Sequence, residues 1–123
     1  MKEGLAENKV LILYLLNKLQ DGIKSDNLYK IVSSANNMNY FYFQELLTDL
    51  IESNFVGSFT KDEKNYTVKC KIVEKNETIF EVSTFAGSRD RAKQISDNWK
   101  NNANNLYPKI IDILLNGDKN EEN

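Results

Sequence analysis

The sequence contains no histidine, one cysteine, one proline and one tryptophan in 123 residues. Without histidine the chain lacks the commonest general base and the commonest metal ligand. Cys70 alone forms no internal disulfide, which favours a reducing compartment. The longest apolar run, residues 10–16, is shorter than the roughly 18 residues of a membrane span. The start of the chain has no apolar signal segment. These absences predict a soluble cytoplasmic protein that makes no membrane contact.

Strong positive charge is also missing. The net charge is -2, and of sixteen basic residues only Arg89 and Arg91 are arginine. Bulk charge therefore gives no indication of nucleic-acid binding. No glycine-rich phosphate loop, metal-ligand spacing or catalytic triad is present. The sequence predicts that the protein is not an enzyme and has no cofactor and no metal site.

The first half is organised around residues 38–56. A helical stripe is formed there by residues at i, i+3, i+4, i+7 and i+8, namely Phe43, Leu46, Leu47, Leu50 and Ile51. Asn39 is the expected cap of this third helix. Two amphipathic helices precede it, one over about residues 5–20 and one capped by Ser25 or Asp26. Three helices followed by a strand are the layout of a winged helix-turn-helix over residues 1–60.

The second half predicts a β-hairpin followed by a long helix. Tyr66, Val68, Cys70 and Ile72 alternate with polar residues, which is typical of a half-buried strand. Residues 78–85 form the return strand with Phe80 and Val82 inward, residues 61–64 form a polar turn, and residues 55–60 can pair as a third strand. A helical stripe then runs from Ser88 to Gly117 and stays in phase across Pro108. The predicted fold class is α+β, with residues 61–117 packed as one domain with the winged-helix unit and residues 118–123 as a disordered tail.

Two long stretches of the chain resemble a bacterial protein family. Residues 6–56 (AENKVLILYLLNKLQDGIKSDNLYKIVSSANNMNYFYFQELLTDLIESNFV) are similar to the N-terminal part of the domain of unknown function 4364 family, most clearly at residues 7–9, 38–41 and 44–53. Residues 66–114, including 98–100 and 107–111, resemble its C-terminal part. The resemblance implies a winged-helix, transcription-regulator-like protein without enzyme activity.

Two functions from different classes follow. In the leading hypothesis the chain is a winged-helix regulator that binds double-stranded DNA. The start of the third helix approaches a groove in this hypothesis, and lysines contact phosphates. The candidate DNA-binding residues are Asn37, Asn39, Tyr40, Tyr42, Gln44, Lys61, Lys64, Lys69 and Lys71. In the alternative the chain is a non-catalytic adaptor that contacts a protein partner through an acidic third helix.

Charge and aromatic residues bear on that choice. The outer face of the third helix carries Glu45, Asp49 and Glu52 and no basic residue, which opposes contact with phosphates. Core packing of Phe41 and Phe43 is expected, with Tyr40 and Tyr42 at the rim. The basic residues of the hairpin also have a purely structural interpretation, in which outward-facing lysines lie opposite Glu81 on the neighbouring strand.

The last helix has more apolar residues than one hairpin covers. A homodimer is therefore predicted. The candidate dimer or partner residues are Trp99, Leu106, Ile110, Ile111 and Leu114.

Overall fold

The computed structural model describes residues 4–63 and 65–117. Its elements are α1 (Leu5–Lys18), α2 (Ser25–Ala35), α3 (Tyr40–Glu52), β1 (Thr60–Asp62), β2 (Asn65–Glu74), β3 (Glu77–Phe85) and α4 (Arg89–Asn116). The predicted α+β fold, with three helices, an antiparallel sheet and a long final helix, is confirmed. The chain divides into two compact units between Val56 and Gly57. Lys64 and the predicted tail at 118–123 lie outside the described residues.

The first unit is a helical bundle with a well-filled core. Its fully buried side chains include Ile12, Phe43 and Leu46, each at most 1% exposed. Leu28, Val32, Met38, Leu47 and Leu50 complete the buried cluster. The stripe predicted for the third helix supplies four of these eight residues, because positions three and four apart share one face of a helix. This packing closes the bundle around α3.

The ends of the second and third helices follow local chemistry. The side-chain oxygen of Asn39 accepts a hydrogen bond of 2.8 Å from the backbone N–H of Tyr42, which confirms the predicted cap. Asn54 leaves α3 in a left-handed conformation at φ 62°. At α2 the prediction was wrong: Lys24 is the N-cap and makes no side-chain cap bond, and Ser25 is already helical.

The second unit is a three-stranded antiparallel sheet in the order β1-β2-β3, with α4 packed against it. Val68, Cys70 and Ile72 lie opposite Thr84, Val82 and Phe80. The register shifts beyond Ile72, which leaves Ile79 as an extra, bulged residue on β3. The third strand exists, but it spans residues 60–62 rather than the predicted 55–60, so Lys61 lies in β1 and not in the turn.

The core of the second unit is smaller. It consists of Val68, Cys70, Ala86 and Ala92, with Phe59, Tyr66, Ile95 and Trp99 partly buried around it. Gly57 lies against the backbone of Ser96 on α4, and a Cβ there would overlap the Ser96 hydroxyl. This close approach requires glycine.

Helix α4 is continuous but only partly covered. Ser88 caps it by accepting a 3.2 Å hydrogen bond from the N–H of Arg91, and Gly117 ends it at φ 74°. Pro108 lies inside the helix, as predicted. The buried residues of α4, Ala92, Ser96 and Ala103, stop well before its end. The last turns therefore present apolar residues to solvent.

Candidate binding surfaces

The outer face of α3 combines one exposed aromatic ring with carboxylates. Phe41 is 80% exposed, so the expectation that it packs in the core was wrong. Glu45, Thr48 and Asp49 are also exposed. Asp49 lies 3.6 Å from the Lys9 ammonium of α1. The face is thus acidic with an apolar residue at its N-terminal end.

The tyrosines beside Phe41 each contact another residue of the bundle. Tyr40 makes an edge-to-face contact with Tyr29 at 5.2 Å between ring centroids. The Tyr42 hydroxyl accepts a 3.3 Å hydrogen bond from the side-chain amide of Asn8. Tyr40 is 42% exposed and Tyr42 is half-buried. Phe41 is therefore the residue of this aromatic cluster that a partner can contact most fully.

The predicted amide contacts lie at the start of α3. Asn37 and Asn39 are exposed, whereas Gln44 is half-buried. The side-chain oxygen of Asn39 already accepts the hydrogen bond of the helix cap. An open pocket of about 610 Å³ lies here and is lined by Gly4, Glu7, Asn8, Asn36, Asn37, Met38, Asn39 and Tyr42. Among the described residues that line it, Glu7 is the one carboxylate and none is basic.

The predicted phosphate-binding lysines do not form one surface. Lys61 lies opposite Tyr66 in the sheet, and its ammonium sits 5.8 Å from that ring. Lys69 and Lys71 point to the other sheet face, because successive residues of a strand alternate. Lys71 lies 3.9 Å from Glu81 across the hairpin, as the structural interpretation predicted. Lys69 is exposed, and Lys64 is outside the described residues. Lys61 therefore lies on the opposite face of the sheet from Lys69 and Lys71, with which it was predicted to contact phosphates.

An apolar groove runs between β3 and the middle of α4. It has a volume of about 600 Å³. Its lining comprises Cys70, Val82, Thr84, Ile95, Asn98, Trp99, Asn102, Asn105, Leu106, Lys109 and Ile110. Val82 points to the inner sheet face as predicted, yet it is 45% exposed because α4 leaves this strip of β3 uncovered. The inner face of the hairpin is therefore only partly covered by α4.

The predicted dimer residues fall along α4 in two groups. Trp99 stacks on Phe80 with ring centroids 6.3 Å apart, and its indole Nε1 is buried without a hydrogen-bond partner among the described residues. Leu106 is 40% exposed and Leu114 is 70% exposed, while Ile110 and Ile111 are half-buried. Trp99 therefore packs against the sheet, whereas Leu106 and Leu114 are exposed and available for contact.

Some exposed apolar residues were not among the candidates. Ile79 and Phe85 of β3 are 40% and 75% exposed, and Phe55 is 63% exposed. For Phe85 the available signal was strand alternation, since it lies three residues from the inward-facing Val82 and therefore on the other face of the sheet.

The single cysteine, Cys70, is buried and forms no disulfide. Burial raises the pKa of the Cys70 thiol above its ordinary value, which disfavours the thiolate form. Within residues 4–63 and 65–117, no group of three or more carboxylate or thiol side chains is placed to hold a metal ion. No helix in the same part of the chain is long and apolar enough to cross a membrane.

Comparison with known proteins gives the family. The family described as Domain of unknown function (DUF4364) matches residues 8–65 and residues 57–114. The chain belongs to this family. No curated protein and no solved structure matches it.

Proposed function

We propose that this chain is a non-catalytic binding protein and that α3 contacts another protein. The observation that carries the proposal is the outer face of α3, where Phe41 is 80% exposed and carboxylates follow. An exposed aromatic ring is a typical anchor in a protein interface. The partner surface would offer an apolar pocket for this ring, bordered by lysine or arginine.

Charge supports a protein partner over DNA. Residues 4–56 contain four lysines and six acidic residues, a net charge of -2. Duplex DNA is bound mainly by neutralising its phosphates, and two carboxylates on the approaching face oppose this. The same carboxylates would speed association with a basic protein surface.

The test is capture of a partner that depends on the ring. Immobilised full-length chain is incubated with lysate of the source organism, in parallel with Phe41→Ala and Glu45→Lys. We expect a retained protein that is lost with Phe41→Ala and reduced with Glu45→Lys. Tyr14→Ala is the matched control, because Tyr14 is 57% exposed on α1. Retention that is identical for all four proteins would contradict the proposal.

Transcription-regulator-like DNA binding is the second candidate. It is supported by the order of three helices followed by strands and by the exposed amide of Asn37 ahead of α3. Asparagine amides read adenine, and the N-terminus of a helix favours phosphate.

Fluorescence anisotropy with mixed duplex DNA at two salt concentrations separates the candidates. Binding that weakens steeply with salt, and further with Lys69→Glu and Lys71→Glu, would favour DNA. If the unmodified chain does not bind DNA at low salt but the Glu45→Lys and Glu52→Lys variants do, the carboxylates of α3 are what exclude DNA. That result would favour the protein partner.

A further inference from the structure

The outer edge of β3 carries backbone groups that point away from the sheet. The N–H of Ala86 donates a 2.8 Å hydrogen bond to the carbonyl of Tyr66. Hydrogen-bonded pairs alternate along an antiparallel ladder, so residues 80, 82 and 84 bond to β2 while residues 81, 83 and 85 direct N–H and C=O outward. β3 is at the end of the sheet order, and no described strand pairs with that side.

The two edges of this sheet are unequal. β1 has three residues, which is a short edge of the kind that discourages pairing. β3 has nine residues, and the stretch Phe80–Phe85 lies beyond its bulge at Ile79. That stretch contains no proline. Its one charged residue, Glu81, lies 3.9 Å from Lys71 on the neighbouring strand. Six residues of edge are thus left without the usual protection.

The apolar groove lies beside the same edge. Val82 is 45% exposed at its floor, and Leu106 is 40% exposed on its α4 wall. Asn98, Asn102 and Asn105 lie along that wall, and Lys109 is the only charged residue among the described residues that line the groove. Two such surfaces brought together would meet little like-charge repulsion.

We propose that a second copy of the chain pairs with this edge, β3 against β3 in antiparallel orientation, to give a continuous six-stranded sheet. The two-fold axis runs perpendicular to the sheet and passes beside Val82. Both α4 helices then lie on the same side, and each groove faces the other copy. A contact of this kind is isologous, with the same patch used twice. The proposal is independent of the function proposed for α3, and it adds a strand edge to the α4 residues predicted from the sequence.

Charge and the exposure of Val82 together favour one register. A two-fold axis at Glu81 would place two carboxylates directly opposite each other, which is destabilising. An axis at Val82 instead places Glu81 opposite Ser83 of the second copy. It also brings the two half-exposed valines together and joins residues 81 and 83, whose backbone groups point outward. The Val82 register therefore satisfies the hydrogen bonds and separates the charges.

Cysteine cross-linking tests the register in the full chain. Val82→Cys is made in a Cys70→Ala background, because Cys70 lies opposite Val82 within one chain. Directly opposed residues of this type have Cα atoms about 4.5 Å apart, within the range of a disulfide. Mild oxidation is expected to give a covalent dimer on a non-reducing gel. Thr78→Cys in the same background is the control, because its two copies would be far apart. Equal cross-linking of both variants, or none, would overturn the proposal.

Proline substitution tests the edge in a chain that keeps its own cysteine. Ser83→Pro removes an outward N–H and leaves the bonds between β2 and β3 intact. Light scattering of the unmodified chain is expected to give twice the 14.2 kDa monomer mass. Ser83→Pro is expected to halve that mass, whereas Ser83→Ala, which retains the N–H, leaves it unchanged. A monomeric wild type, or a dimer that persists in a folded Ser83→Pro variant, would contradict β3 pairing.

Discussion

The two units differ in how completely they bury their apolar residues. In residues 4–56, eight buried side chains form one cluster with Phe43 at 0% exposure. In residues 57–117 the buried cluster has four members, two of them alanine, and apolar residues of β3 and α4 remain exposed. Three helices enclose a core between them, whereas one helix on a three-stranded sheet covers only part of a face. The second unit is therefore the one that leaves apolar surface free for a further contact.

The units also differ in charge. Residues 4–56 carry -2, while residues 57–117 contain ten basic and eight acidic residues and carry +2. The near-zero total of the chain hides this division. Net charge alone is thus a poor guide to the partners of either unit.

The largest expected effect is on the free energy of unfolding, and it appears when two phenylalanines of α3 are compared. Phe43→Ala should reduce the free energy of unfolding by about 3–5 kcal/mol, because it leaves a cavity in a closed core. Phe41→Ala should change it by less than about 0.5 kcal/mol, since the ring is exposed. Denaturant unfolding followed by circular dichroism measures both. Similar losses from the two variants would show that the first unit is not the closed bundle described.

In the second unit the tightest contact is at Gly57. Gly57→Ala should reduce the free energy of unfolding by about 1–3 kcal/mol, because the new methyl group overlaps the Ser96 hydroxyl. Chemical denaturation gives the value. Adding Ser96→Ala should restore only part of the loss, since the Cβ would still lie 3.2 Å from the Ser96 carbonyl oxygen. An unchanged midpoint for Gly57→Ala would mean that α4 packs more loosely than the structure shows.

A gain in stability is expected at Pro108. Pro108→Ala restores one backbone hydrogen bond in an exposed part of α4, and the greater freedom of the unfolded chain offsets part of the gain. We expect a net stabilisation of about 1–2 kcal/mol, measured by thermal unfolding. Asn104→Ala, also exposed on α4, is the control and should gain only a few tenths of a kcal/mol. Destabilisation by Pro108→Ala would indicate that the ring makes a contact.

The smallest effect is at the hairpin ion pair. Lys71 and Glu81 are each more than a third exposed and lie 3.9 Å apart. A double-mutant cycle with alanine should give a coupling of at most about 0.5 kcal/mol that falls with added salt. Coupling well above that value would show that the outer sheet face is more buried than in the chain alone.

Features set by local spacing were predictable from the sequence. The stripe of α3, its Asn39 cap and the alternation along β2 all arise within a few residues of chain. The exposure of Phe41 could have been predicted by the same reasoning. It lies two residues from Phe43, so the two rings point about 200° apart on a helix and cannot both be buried.

Features set by packing between distant segments were not predictable. The separation of Lys61 from Lys69 depends on the register of β1 against β2, and the turn between them gives no signal for it. The exposure of Val82 depends on how much of β3 is covered by α4, which alternation along the strand does not report.

Amide hydrogen exchange of the full chain, measured by NMR at high protein concentration, tests most directly the claim that the second unit is completed by a second copy. The N–H groups of Val82 and Thr84 bond to β2 and should be protected in any folded state. Pairing of β3 with a second copy predicts that the N–H groups of Glu81 and Ser83 are also protected in the unmodified chain, and that this protection disappears upon dilution to the monomer. Rapid exchange at Glu81 and Ser83 beside slow exchange at Val82 and Thr84, at every concentration, would contradict the account.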